Sequence, residues 1–202
     1  MIALIDYKAG NLTSVRKALA AVGARVFTPE KPSQLADADG IIVPGVGHFA
    51  ATRTLDRDWT EAILERIGEG RPILGICLGM QWLFEGSDEA PDLPGLGVLG
   101  GRCYRLKGNG SSVKVPHVGW NSLIMRRTSG SIAEDVPDGA QVYFTHSFVA
   151  PLTGETVAAT EHGELFASIV QRGQVAGVQF HPEKSGDIGL RVLNNFVGST
   201  HL

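Results

Sequence analysis

Cys77 stands between two glycines in Gly75-Ile76-Cys77-Leu78-Gly79, behind the apolar run Pro72-Ile73-Leu74 and ahead of Met80-Gln81-Trp82-Leu83-Phe84. A buried strand, a turn too sharp for side chains on its flanks and the start of a helix would hold one thiol at the apex. This is the sulfur counterpart of the serine elbow, in which glycines remove clashing Cβ atoms and the helix N-terminus favours an anion. The chemistry implied is that of a nucleophile. It needs a base, a group to orient the base and an oxyanion site. Alone, the pentapeptide leaves a second reading open, because free cysteine is among the most buried residue types and also serves as core.

His181-Pro182-Glu183 follows the apolar run Val175–Phe180. In an extended segment residues i and i+2 share a side, so imidazole and carboxylate would face the same way, and Pro182 favours extended backbone at His181. Glu183 would then fix the imidazole tautomer and His181 would take the thiol proton. Pro44-Gly45-Val46-Gly47 also follows a strand-like run. An N–H from it, with Val46 the candidate, pairs with the N–H of Leu78 as a possible oxyanion hole.

These segments need elements to position them. Ile2–Asp6, Ala24–Phe27, Gly40–Val43 and Pro72–Ile76 read as buried strands. Between them lie a helix opening at Gly10-Asn11, with Leu12, Val15, Leu19 and Val22 on one face, and another through Trp59, Ile63 and Ile67. Asn11 caps the first and Gly23 closes it. Alternating strands and helices imply βαβ units and a parallel sheet, with the chemistry at the carboxyl ends of its strands. From Leu99 onward extended segments dominate: Gly101–Leu106, Val142–Thr145, Thr156–Thr160, Ala167–Gln171 and Val175–Phe180, with turns at Gly108-Asn109-Gly110 and Pro137-Asp138-Gly139. A last helix spans Ile188 to Val197. The expected fold is α/β: an open, mostly parallel, flavodoxin-like sheet with helices on both faces and an added antiparallel or mixed β region in the second half. Without an internal repeat or a linker, residues 1–202 read as a single domain.

The hydrophobic fraction of 43% and charged fraction of 19% are those of a globular protein. A net charge of −3 leaves no footprint for nucleic acid. No apolar run approaches the roughly 20 residues of a membrane span. Ile2-Ala3-Leu4-Ile5 shows no export signal. Cys77 and Cys103 offer neither a disulfide framework nor CxxC spacing, so a reducing, cytoplasmic setting without a bound metal is expected.

The elbow through Gln81, the Pro-Gly-Val-Gly segment and His181-Pro182-Glu183-Lys184-Ser185 resemble the class I, triad-type glutamine amidotransferases. More narrowly, Asp6-Tyr7 with Gly10-Asn11-Leu12, His117-Val118-Gly119-Trp120-Asn121 and Tyr143-Phe144-Thr145-His146-Ser147 resemble the glutaminase subunits of imidazole glycerol phosphate synthases. The similarity runs end to end. Lys8, where Gly or Met is frequent, and Thr13, where Arg is frequent, depart from the pattern.

The resemblance implies that Cys77, His181 and Glu183 hydrolyse glutamine through a cysteinyl thioester, without a cofactor. Gly45, Gly47, Gln81, Glu89, Ser147 and Phe148 would line the substrate. It implies a heterodimer with a (β/α)8-barrel cyclase, which receives the ammonia and forms imidazole glycerol phosphate and aminoimidazole carboxamide ribotide in histidine biosynthesis. The cyclase's ligand would switch hydrolysis on through the Pro44–Gly47 segment, the free subunit being a poor glutaminase whose oxyanion hole is not formed. Asn11, Trp120, Tyr143 and Lys184 would lie at the interface. From residue type alone they read otherwise: Trp120 and Tyr143 as core aromatics, Lys184 as a solvated cation, Asn11 as a helix cap. Alternatives are the glutaminase subunit of pyridoxal 5′-phosphate synthase, which typically carries Gly-Gly-Glu-Ser in place of Pro-Gly-Val-Gly, and a stand-alone cysteine amide hydrolase or peptidase.

Overall fold

The computed structural model describes residues 1–108, 113–127 and 131–200. The first half is built of β1 (Ile2–Leu4), α1 (Leu12–Ala21), β2 (Val26–Phe27), β3 (Gly40–Val43), α2 (Arg57–Gly68), β4 (Ile73–Ile76) and α3 (Leu78–Leu83). The second half holds β5 (Gly86–Ser87), β6 (Arg102–Arg105), β7 (His117–Ser122), β8 (Ile124–Met125), β9 (Gln141–His146) and β10 (Phe148–Val149). It closes with β11 (Thr156–Glu161), β12 (Leu165–Arg172), β13 (Val175–Val178) and α4 (Gly186–Ser199).

One eight-stranded sheet has the order β2-β1-β3-β4-β13-β12-β11-β8. Its first five strands are parallel and the rest antiparallel. Adjacent residues of each strand point to opposite faces. Ile2, Leu4, Ile42 and Leu74 therefore meet Val15 and Leu19 of α1 and Leu193 and Phe196 of α4. Ala3, Ile41, Val43 and Ile73 meet Ile63 of α2 and Leu78 and Met80 of α3. Each apolar run is thus covered on both sides, which is why it reads as continuous. The expected α/β architecture with an antiparallel extension is the one observed.

The Asn11 side chain accepts from the Ser14 N–H at 3.3 Å as the cap of α1, and Gly23 ends that helix at φ +78°. Lys8 sits at φ +64°, where glycine is less strained. Its N–H, bonded to the Asp6 carboxylate at 2.9 Å, anchors the turn.

Two points of local structure differ from expectation. His117–Ser122 forms a strand, β7, paired antiparallel with β9 in a small sheet of its own. Pro116 before it and Gly119 inside it hide the periodicity, and cross-strand pairing supplies what propensity lacks. Pro182–Lys184 is a 3-10 turn, so only His181 is extended. Part of the turn expected at Gly108-Asn109-Gly110 lies outside the described residues.

Candidate active site

The elbow forms as its glycines require. Cβ atoms on Gly75 and Gly79 would stand 2.6 Å from the Gly79 carbonyl and 1.7 Å from the Val43 carbonyl, so neither position admits a side chain. Cys77 adopts φ +54°, ψ −107°, strained for an L-residue. Its N–H donates to the Val178 carbonyl at 2.7 Å and its carbonyl accepts from Gln81 at 3.1 Å. Sheet and helix thus hold the turn from both ends.

His181 arrives from β13, beside β4 in the sheet. Its N–H donates to the Tyr143 carbonyl at 2.9 Å. Its Nδ1 meets Glu183 Oε1 at 2.8 Å, with both side chains 2% exposed. The 3-10 turn achieves the contact that an extended segment was expected to make. Burial alone would lower the His181 pKa; the Cys77 sulfur and the Glu183 carboxylate overcome burial and raise it well above the ordinary imidazole value. His181 Nε2 and Glu183 Oε2 are buried without hydrogen-bond partners among the described residues. With Nδ1 turned to the carboxylate, the open Nε2 is the atom left for a proton from the thiol.

Cys77, Leu78, Gln81 and Glu89 line a cavity of about 320 Å³, closed on its other side by Thr145, His146, Ser147 and Phe148 with Gly47 at its edge. The volume suits a small ligand. Glu89 Oε2 accepts from the Phe49 N–H at 2.7 Å. Gln81 Nε2 donates to the Phe148 carbonyl at 2.8 Å and to Gln179 Oε1 at 3.1 Å. The Phe148 carbonyl also meets His146 Nδ1 at 3.2 Å, and the Ser147 carbonyl accepts from Leu106 at 2.9 Å. Both carbonyls are therefore already engaged within the protein.

The two N–H groups expected to supply an oxyanion hole both have partners in this arrangement. The Val46 N–H donates to the Ala9 carbonyl at 2.9 Å, and the Leu78 N–H to the Gly45 carbonyl at 3.4 Å. Gly45 lies against α3, and a Cβ there would stand 2.0 Å from the Tyr7 hydroxyl. With both N–H groups spent, the hole is unformed in this arrangement. Which way a peptide plane faces is a backbone torsion that residue type does not fix at a glycine.

The four residues expected at an interface separate. Trp120 and Tyr143 are register partners, with rings in edge contact at 6.1 Å. Trp120 is 57% exposed, so it is not a core aromatic, and Val118 beside it is 58% exposed. The Lys184 ammonium lies 5.7 Å from the Tyr143 ring centroid, a cation–π distance. Asn11 caps α1, which packs beside the Pro182–Lys184 turn.

Sequence reasoning missed three groups. Gln179 Nε2 donates to Cys77 Sγ at 3.6 Å. The Tyr7 hydroxyl is buried without a partner among the described residues. His117 Nδ1 meets His146 Nε2 at 3.1 Å, beneath the sheet face that carries Trp120. The signal for Gln179 was its place two residues before His181 on an extended segment, which turns both side chains the same way.

The profile of the family described as glutamine amidotransferase class-I matches residues 3–199. The imidazole glycerol phosphate synthase subunit HisH of Gloeobacter violaceus is 48% identical over 201 residues, covering 97% of this chain and 88% of the relative. That of Thermococcus kodakarensis is 44% identical over 202 residues, covering 97% and 98%. Among solved structures, a glutamine amidotransferase superposes with a TM-score of 0.77 at 20% identity, covering all of both chains. PurLQS from Thermotoga maritima superposes with a TM-score of 0.75 at 19% identity, covering 98% and 97%. At such identities these two speak for the fold alone.

Proposed function

This chain belongs to the glutamine amidotransferase class-I family, and from that premise we propose that it is the glutaminase subunit of an imidazole glycerol phosphate synthase in histidine biosynthesis. One observation carries the mechanism. A strained Cys77 opens into a cavity that also holds Gln81 and Glu89, and a buried His181–Glu183 pair stands beside it.

In this reading Cys77 Sγ attacks the side-chain carboxamide carbon of glutamine. The thiol proton passes to His181 Nε2 and then to the departing ammonia. The γ-glutamyl thioester that remains is hydrolysed by water, with His181 acting as base again. Glu183 keeps the proton-bearing Nδ1 turned away from the reaction. Glu89 meets the substrate's α-ammonium, and Gln81, with its Nε2 committed, offers Oε1. Gly45 and Gly47 let the intervening backbone turn.

The oxyanion site forms when the Gly45–Val46 peptide turns over. Its carbonyl then releases the Leu78 N–H, and the Val46 N–H leaves Ala9 for the oxyanion of the tetrahedral intermediate. Two backbone hydrogen bonds hold the present arrangement, so isolated protein would be a poor glutaminase, and differential binding by a loaded partner must supply the turn. The partner is a (β/α)8-barrel cyclase, which keeps the ammonia from water. It docks on the exposed Val118–Trp120 face with Tyr143, Lys184 and Asn11. The coupling there is short, because the Tyr143 backbone bonds both the His181 N–H and Ser185 Oγ. The setting is cytoplasmic. Among the described residues no helix is long and apolar enough to cross a membrane.

The test is chemical. A diazo-ketone analogue of glutamine should label Cys77, and Cys77→Ala should abolish both labelling and ammonia release. Adding a barrel cyclase with its ligand should accelerate hydrolysis. Turnover by this chain alone at the rate of the loaded complex would refute the closed oxyanion site.

A further inference from the structure

Gln179 is fully buried, and the reaction above gives it nothing to do. It follows Val178 of β13, whose register partner in β4 is Ile76, so Gln179 and Cys77 leave neighbouring parallel strands side by side. Its carboxamide has one satisfactory orientation. Oε1 accepts from Gln81 Nε2 at 3.1 Å, and Nε2 donates to Cys77 Sγ at 3.6 Å. Flipped, it would set a donor against the Gln81 donor and an oxygen against the sulfur lone pairs. The Gln81 end is fixed in turn, because the same Nε2 donates to the Phe148 carbonyl at 2.8 Å. The Leu78 N–H, first in the six-residue α3, is spent on the Gly45 carbonyl. The Gln179 carboxamide is therefore the donor that meets the sulfur.

We propose that Gln179 is a positioning residue for the nucleophile. Its Nε2–H fixes the Cys77 sulfur and offsets the negative charge left when the proton passes to His181, while its Oε1 ties that donor to Gln81 in the substrate cavity. Hydrogen bonds to an ionised acceptor are stronger than neutral ones, so the contact favours the thiolate over the thiol. The role rests on the glutaminase reading and deepens it by linking the substrate-binding amide to the reacting atom.

Two substitutions separate the halves of the carboxamide. Gln179→Glu keeps an oxygen for Gln81 but loses the donor to sulfur. Gln179→Met fills similar space and loses both. The measurement is the rate of Cys77 alkylation by iodoacetamide against pH, with thermal melting as a control and glutamine KM and kcat measured in the loaded complex. In both variants the alkylation profile should move up by about one pH unit, a roughly tenfold loss of rate near neutrality. KM should rise only with methionine. A folded methionine variant with the wild-type profile overturns the proposal, because a space-filling role predicts that result. Should the glutamate variant not fold, the methionine variant decides alone. Wild-type protein that alkylates readily yet never hydrolyses glutamine with a loaded cyclase would instead sink the glutaminase reading, and the alkylation profiles tell the two failures apart.

Discussion

Two buried histidine sites in this molecule answer the same burial in opposite ways. His181 is 2% exposed, His117 4% and His146 7%. His181 and His146 each engage Nδ1, at 2.8 Å to a carboxylate oxygen and at 3.2 Å to the Phe148 carbonyl. Yet the His181 pKa is raised, whereas burial first and neighbouring imidazoles second push His117 down to about 4 and His146 down to about 3. Burial expels charge unless a countercharge comes with it, and only His181 has Glu183 and the sulfur. Satisfaction differs too. Both ring nitrogens of His117 and of His146 have partners, running from Asn121 through both rings to Phe148. Among the described residues, His181 Nε2, Glu183 Oε2 and the Tyr7 hydroxyl have none. Native proteins pair their buried polar atoms, so the saturated pair reads as architecture and the open atoms as a place where a reactant completes the set.

The largest effect should come from making the first site resemble the second. Glu183→Gln keeps shape and removes the countercharge, so the His181 pKa should fall and kcat for glutamine should drop by about three to four orders of magnitude. Ring-proton NMR against pH and turnover in the loaded complex check this, and an unshifted His181 would break the comparison. Conversely, His146→Leu should cost stability, because it leaves the His117 Nδ1–H buried without an acceptor, worth about 1–3 kcal/mol in urea unfolding.

A smaller signature lies in the pH dependence of stability. Unfolded imidazoles titrate at about pH 6.5. His117 and His146 are lowered in the fold, so their contribution is full above that pH and is lost as acidification towards about 4 and about 3 protonates the unfolded chain first. His162, stacked on His117 at 4.0 Å, and His181 add positive charge in the same direction. His181 is raised, so its contribution is full below the unfolded value and is lost as pH rises towards its folded one. Urea midpoints across pH should show two limbs. His146→Leu should flatten the acid limb and His181→Ala the alkaline one; a variant that flattens the wrong limb refutes the assignment.

Legibility in the sequence follows the same division. The elbow could be read because Gly75, Cys77 and Gly79 are forced residue by residue by clashes that a short spacing encodes. The strands of the parallel half could be read because burial on both faces makes each a continuous apolar run. The His117–His146 pair could not. Its members come from β7 and β9, 29 residues apart, and only cross-strand register makes them partners. Trp120 misled for a related reason, since an aromatic between Gly119 and Asn121 carries no sign of which face its strand buries. At Val46 and Leu78 the glycines of Pro44–Gly47 signal that the peptide can turn, but the partners its N–H and carbonyl choose are a matter of backbone orientation rather than residue type.

The smallest prediction tests whether an open atom is truly open. The Tyr7 hydroxyl is buried without a partner among the described residues, and burial followed by the Cys77 sulfur raises its pKa, so it stays a neutral phenol. It fills the space that a Cβ on Gly45 would need. Tyr7→Phe removes an unpaired polar group and leaves the ring in place. Stability should therefore hold or rise by about 1 kcal/mol, the reverse of the loss expected at His146. If the phenylalanine variant instead melts lower, the hydroxyl already has a partner. The Tyr7 corner of the site would then belong with the saturated histidine pair, and the unpaired atoms that set the active site apart would reduce to those of the His181–Glu183 pair, with His181 Nε2 the one that takes the proton.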